Sequence, residues 1–403
     1  MTLRALQGLK LVECGNGLSA PFAAKLLCDM GAQVIKVERP GDGDDARAWG
    51  PFPGDRPDRE KSGMFHYLNA GKRSVTLDLM TPQGGEVMQA LLAQADALLI
   101  NGDVAAIEAL QLDPQSLLTR WPRLVVTTIT PFGYDNAMSR YPAHDITICA
   151  LGGVTGVVGE PTREPLTPPL ELSDYQSGVA AASATMLGLF ARERSGAGQH
   201  VDISPLDVWA TVHQGSAFTN YLNFGKTRGR GGRRRPEAYP FHFLAAKDGL
   251  MCLIARDGGQ WKRFVQLVGE PALIDNERYQ DRLAMGLAYP EEVDALLQPW
   301  LAARTRDEIF ALCREHHIPF APVRRVDEVM ACEQLASRDF FRSLPPRADG
   351  VSFIVPGAPY HFSATPASVA APAPLLGEHT AAVLHELGYG DADVAALQRA
   401  GVI

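Results

Sequence analysis

The sequence predicts an α/β protein whose larger part is a Rossmann-like, doubly wound domain, and three observations carry that prediction. A strand, a glycine turn, a helix and a second strand follow one another within residues 9–38. The alternation then repeats loosely to residue 130. Hydrophobic residues make up 46% of the 403, enough for sizeable cores in two or three domains.

Leu9-Lys-Leu-Val-Glu-Cys14 reads as the first strand, and Gly15-Asn16-Gly17 as a turn. From Pro21 to Met30, Phe22, Ala23, Leu26, Leu27 and Met30 recur at helical spacing, with Gly31 where a helix stops. Gln33 to Glu38 is a second strand, parallel to the first because a helix connects them. Short strands follow at Ser74–Leu77, Ala97–Ile100 and Leu124–Ile129, with a helix over Gly84–Gln94. Asp174 to Arg194 is a long helix whose early turns are crowded with small residues, so another element must pack closely on it. It ends in basic Arg192 and Arg194 with Gly196 beyond, as the dipole and the C-terminal cap favour. Further strands at Phe241–Leu244 and Leu250–Ala255 precede helices at Trp261–Val268, Glu291–Ala303 and Arg306–His316. Pro345 to Pro374 is proline-rich and extended, and an amphipathic helix closes the chain at Glu378–Leu387.

Composition excludes several classes. Charged residues are 21% of the chain, which argues against a disordered chain or a coiled coil. The longest apolar run, Val179 to Ala191, is interrupted by Ser183 and Thr185 and is short of the ~20 residues that cross a bilayer. No secretory pattern opens the chain, so a cytoplasmic protein without a membrane partner is expected. A net charge of −8, from 38 basic and 46 acidic residues, lacks the basic footprint of a nucleic-acid binder. The six cysteines (14, 28, 149, 252, 313 and 332) are scattered, so neither a disulfide framework nor a metal site is expected.

Gly15-Asn-Gly-Leu-Ser-Ala20 fits G-x-G-x-x-A between a strand and a helix, and Glu38 ends the next strand. Together they nearly complete a dinucleotide-binding fingerprint, with an acid placed for a ribose hydroxyl. A nicotinamide oxidoreductase is one reading. A tight turn made by small residues is the plain structural alternative.

Five separated motifs point elsewhere. They are Gln33-Val-Ile-Lys-Val-Glu38 with Arg39-Pro-Gly-Asp42; Leu68-Asn-Ala-Gly-Lys-Arg-Ser-Val-Thr-Leu-Asp-Leu79; Pro168-Pro-Leu-Glu-Leu-Ser-Asp-Tyr-Gln-Ser-Gly178; Arg194-Ser-Gly-Ala-Gly-Gln-His-Val-Asp202; and Pro374-Leu-Leu-Gly-Glu-His379. In this order they resemble the class III CoA-transferases, the formyl-CoA and carnitine CoA-transferase family of CaiB/BaiF type. The resemblance runs from about Leu6 to the C-terminus and is weakest between residues 205 and 240. It implies a large CoA-binding domain from residues 1–210 and 330–403, a small α/β domain over 225–325, and linkers at 211–224 and 326–329. It also implies an interlocked homodimer with active sites at domain and subunit junctions. Coenzyme A and acyl-CoA would be substrates, a small carboxylate the acceptor, and no cofactor would be permanently bound.

Asp174 matches the family's catalytic aspartate, which relays CoA between carboxylic acids as an aspartyl-CoA thioester. The residue also stands where a helix N-cap aspartate is favoured, and a helix N-terminus keeps a carboxylate ionised. By the same resemblance Arg39 contacts CoA phosphates, Lys72 and Arg73 lie near the nucleotide, and Val75 to Asp78, with Leu77, packs against the adenine. Asn16, Gly17, Leu18 and Asn101 fall at CoA-contacting positions. Two departures stand out: Gly102-Asp-Val-Ala105 follows Asn101, with Ala109 where the family has an arginine, and Leu18 replaces a glutamine. These departures imply moved CoA phosphate contacts and disfavour formate or oxalate as substrate.

His144-Asp145 lies 30 residues before Asp174, as a histidine–aspartate pair does in the related α-methylacyl-CoA racemases. His144 and Asp174 would there exchange an α-proton; in a transferase His144 would only hydrogen-bond a helix start. Tyr175-Gln-Ser-Gly178 favours the transferase. A CoA-binding protein without turnover is a further alternative. Within Gly225–Pro236, Arg228, Arg230, Arg233, Arg234 and Arg235 form either a lid over an anion or a solvated linker.

Overall fold

A computed structural model describes residues 3–213, 218–227, 229–235, 238–269, 273, 276–347, 350–369 and 371–403. Contacts divide the chain into two compact units. The first comprises 1–154, 168–224 and 333–403; the second comprises 155–167 and 225–332. Residues 155–167, expected with the large domain, therefore belong to the second unit.

In the first unit the chain runs β1 (Lys10–Cys14), α1 (Ser19–Asp29), β2 (Gln33–Glu38), α2 (Gly63–Asn69), β3 (Arg73–Thr76), α3 (Pro82–Ala93), β4 (Ala97–Asn101), α4 (Val104–Ala109), α5 (Pro114–Arg120) and β5 (Val125–Ile129). It continues through α6 (Asp145–Leu151), α7 (Leu172–Ser195), β6 (His200–Ile203), α8 (Pro205–His213) and α9 (Phe218–Phe224). The six strands form one parallel sheet in the order β3-β2-β1-β4-β5-β6.

Alternate side chains leave opposite faces of a strand, and the packing shows both faces covered. Val12, Leu98 and Val126 join Val87 and Leu91 of α3 in one core. Their neighbours Leu11, Leu99 and Val125 join Ala23, Ala24 and Leu27 of α1 and Ala181, Ala182 and Leu189 of α7 in the other. The element packed on the small residues of α7 is α1. A Cβ at Gly178 would stand 2.8 Å from the Ser19 carbonyl oxygen and 3.0 Å from Phe22, so only glycine permits this approach. β6 was not anticipated: four residues at the sheet edge, partly exposed, carry too short a pattern to read.

The second unit has its own core around Met251, Trp261, Phe264, Leu297, Leu301 and Phe320. β7 (Phe241–Ala246) and β8 (Gly249–Ile254) are antiparallel, and α10 (Gly258–Val268), α11 (Arg282–Ala288), α12 (Pro290–Ala302) and α13 (Arg306–Glu315) pack with them. β9 (Ala321–Pro322) and α14 (Val326–Met330) complete it. Capping boxes start α10 (Asp257, Gln260) and α13 (Thr305, Glu308).

The arginine-rich loop is anchored within this unit. Arg230 donates to the carbonyls of Glu160, Pro161 and Arg163, and the Gly232 N–H donates to the Gly159 carbonyl. Arg234 pairs with Glu291 and, at 2.6 Å, with Asp294. Arg235 lies over the Phe241 ring at 5.3 Å. These contacts replace the lid reading for Arg230, Arg234 and Arg235 with a structural one; Arg228 lies outside the described residues.

The chain then returns to the first unit through α15 (Glu333–Ser337), the antiparallel pair β10 (Phe341–Ser343) and β11 (Ile354–Pro356), α16 (Thr380–Glu386) and α17 (Asp391–Arg399). Val383 and Leu384 of α16 and Leu397 of α17 enter the sheet core. No helix among the described residues is long and apolar enough to cross a membrane.

Candidate active site

Strand order reverses between β1 and β4, and in open parallel sheets ligands collect outside the C-terminal strand ends at such a point. The Gly15–Gly17 turn lies there. Asn101, the last residue of β4, accepts from the Asn16 N–H (2.8 Å) and donates to the Asn16 carbonyl (2.9 Å) and to Ser19 Oγ (3.0 Å). The Asn16 side chain holds Asp45 from both ends: its amide donates to Asp45 Oδ2, and its oxygen accepts the Asp45 N–H. Arg39 reaches the same carboxylate at 2.7 Å and keeps an exposed guanidinium. Gly17 has a φ of +73°, and a Cβ there would stand 2.8 Å from the Trp49 ring. Only glycine meets both demands. Asn16, Gly17, Arg39 and Asn101 are thus gathered at one rim.

Leu18 is not on that rim: its side chain packs with Ala46, Phe65 and Leu68. Three further residues expected near CoA also lie off that rim. The Lys72 ammonium is fully buried, donating to Glu13 (2.7 Å), the Pro21 carbonyl (2.8 Å) and Asn69 (2.8 Å). Arg73 begins β3, away from the crevice end of the sheet, and makes a bidentate pair with Glu386. Leu77 lies in the sheet core. Glu38 is likewise closed to any ribose, because Arg47 and Ser74 occupy its buried carboxylate.

Beneath the turn lies an ionic lattice that sequence reasoning missed. Glu13 and Lys36 stand opposite one another in the β1–β2 register and meet at 2.7 Å. Lys36 also reaches Asp44 (2.6 Å) and the Gly15 carbonyl (3.1 Å). Asp44 in turn accepts the Gly17 N–H at 2.8 Å. Burial pushes the Glu13 carboxyl up, but Lys36 and Lys72 outweigh it and hold the group below its ordinary value. For Lys36, burial opposes the charge, yet Asp44, Glu13 and Glu38 raise it above the ordinary lysine value. Lysine in the apolar run Val34-Ile-Lys-Val37 was the available signal, since a charge inside a strand buried on both faces needs a partner.

Asp174 lies in the first turn of α7, not at its N-cap, with its N–H on the Glu171 carbonyl at 3.1 Å. The N-cap is Glu171, in the left-handed region (φ 44°) and without a side-chain cap. Asp145 of α6 supplies the missing acceptor, taking the Ser173 N–H at 2.8 Å and its hydroxyl at 2.5 Å. Burial, followed by Asp145 and Glu171, raises the Asp174 carboxyl to about 6, against a hydrogen bond from Ser19 and the field of His144. Desolvation thus outweighs the helix end in setting its acidity. At pH 7 it is still roughly nine-tenths ionised. No lysine or arginine among the described residues is ion-paired with it. His144 is exposed, and its side chain caps nothing.

The sequence model of CoA-transferase family III matches residues 6–380. The chain belongs to that family. The succinate–glutarate CoA-transferase of Agrobacterium fabrum is 32% identical to this transferase over 386 residues, covering 95% of each chain. The human succinyl-CoA:glutarate CoA-transferase is 28% identical over all of this chain and 90% of its own. Among solved structures, a CaiB/BaiF family protein from Brucella suis superposes with a TM-score of 0.85 at 32% identity, covering 96% of the transferase and 100% of the other chain. The activity is CoA transfer between carboxylic acids. CoA thioesters are its substrates.

Proposed function

We propose that Asp174 carries CoA between the two acids as an aspartyl-CoA thioester. Its carboxylate attacks the thioester carbonyl of the donor, expelling CoA thiolate and forming a mixed anhydride. The thiolate attacks the aspartyl carbonyl and releases the donor acid. The acceptor carboxylate then attacks aspartyl-CoA, and the freed thiolate takes the acyl carbonyl of the second anhydride, restoring Asp174. The observation that carries this reading is a desolvated carboxylate with no ion-paired lysine or arginine among the described residues, near the Ser19 hydroxyl that Asn101 of the glycine-turn rim holds. Desolvation removes the hydration shell that blunts a carboxylate nucleophile.

In this reading Arg39 binds CoA phosphate after exchanging Asp45 for it, a charge-assisted contact suited to its exposed position. Asn16, Gly17 and Asn101 shape the rim beside it. Incubation with acetyl-, hexanoyl- and succinyl-CoA, hydroxylamine quenching and peptide mass spectrometry tests the relay. A hydroxamate on the Asp174 peptide supports it; an unmodified peptide with every donor during turnover sinks it.

The field of His144 at Asp174 keeps one rival in view, an α-methylacyl-CoA racemase. Running the incubation in deuterium oxide separates them, since only a racemase labels the α-carbon.

Because the nucleophile must be ionised, kcat is expected to rise about tenfold per pH unit below about 6 and level off above about 7. A flat profile between pH 5 and 8 would contradict Asp174 as nucleophile. Exposed apolar side chains on α7 (Leu187, Phe190) and α9 (Tyr221, Leu222, Phe224) support a homodimer, which light scattering would find at twice the 43.6 kDa chain mass.

A further inference from the structure

A groove of about 680 Å³ opens beside the first turn of α7. Phe52, Met64, Tyr67, Tyr175, Phe353 and Val355 make its apolar walls. Among the described residues Glu171 is the one charged residue lining it, and no lysine, arginine or histidine does. Glu171 and Tyr175 bracket Asp174 in sequence, so groove and nucleophile share one helical turn. The wall is braced: Tyr175 Oη lies 3.6 Å from Met64 Sδ, and its ring meets Phe22 edge-on at 5.0 Å. At the mouth, Leu170 is held in the left-handed region at φ 71° with its side chain 76% exposed. A leucine in that conformation is costly, and here it gains no burial in return.

We infer that this groove takes the hydrocarbon body of the acid whose carboxylate meets Asp174, and that the preferred acid is an aryl or medium-chain alkyl monocarboxylate rather than a short dicarboxylate. The inference rests on the transferase reading above. A second carboxylate would be desolvated against apolar walls, with no lining cation among the described residues to pair it and Glu171 to repel it. An apolar body instead gains by leaving water, and the volume lies within the usual range for small-molecule sites.

The test fixes acetyl-CoA as donor and compares phenylacetate and hexanoate with succinate, glutarate and butyrate as acceptors. The inference expects kcat/KM for phenylacetate or hexanoate at least tenfold above either dicarboxylate. Ile354→Asp changes an exposed lining residue that the relay does not use. It should lower kcat/KM for hexanoate at least fivefold, and by more than it lowers kcat/KM for butyrate; Met64→Thr should act in the same direction. Dicarboxylates that match or exceed the apolar acids would overturn the inference and leave the transferase reading intact, as would variants that affect hexanoate and butyrate alike. If no acid turns over and no aspartyl-CoA forms, both fall together.

Discussion

Replacing Asp174 by alanine is expected to lower kcat at least ~10,000-fold, the scale seen when a covalent nucleophile is removed. CoA affinity, measured by calorimetry, should change little, because the rim of Asn16, Gly17, Arg39 and Asn101 does not depend on this carboxylate. Asp174→Asn adds a second, opposite readout. The carboxyl titrates near 6 in the folded chain against an ordinary 3.8. The folded state therefore holds the proton more tightly, and stability falls as pH rises between those values. At neutral pH the ionised form costs the fold on the order of 2 kcal/mol, allowing for its partial contact with water. The asparagine variant should thus be inactive yet melt a few degrees higher at pH 7, with the difference vanishing near pH 4. An inactive variant that melts lower at pH 7 would show that Asp174 is structural, and an active alanine variant would end the covalent reading.

The second large effect concerns the buried lattice. Lys36→Met leaves Glu13 sharing one ammonium and Asp44 without its ion partner, both fully enclosed. Breaking one side of such a pair costs about 3–5 kcal/mol, because the remaining charge stays desolvated. A loss of that size should lower the melting midpoint by about 4–8 °C in calorimetry. Glu13→Gln added to Lys36→Met should recover part of the loss, since it removes a stranded charge. A Lys36→Met chain as stable as the parent would mean the lattice contributes nothing net. The sign with pH follows from the directions of the shifts. Glu13 and Glu38, held low, contribute stability above their ordinary value, lost as pH falls through their folded values. Lys36, held high, contributes below its ordinary value and loses the contribution only in strong alkali.

Much of this molecule was legible because it is written in local pattern. β2 falls on Gln33–Glu38, the apolar run between the helix stop at Gly31 and Arg39, and α1, α3 and α7 lie within two residues of their periodicity. The candidate nucleophile was legible in its motif, and the small residues of α7 correctly announced a close neighbour without naming it. Lys72 shows where local reading stops. Beside Gly71 and Arg73 it looks like a surface cation, and only the fold brings it to Glu13, 59 residues earlier, and so buries it. The Asp174 carboxyl has the same history. Its motif identifies the residue, but its acidity depends on enclosure, on Asp145 from α6 and on Ser19 from α1. Periodicity records which face of an element avoids water. The partner a charge meets, and how much water it keeps, depend on segments distant in the chain, and those are set only when the sheet assembles.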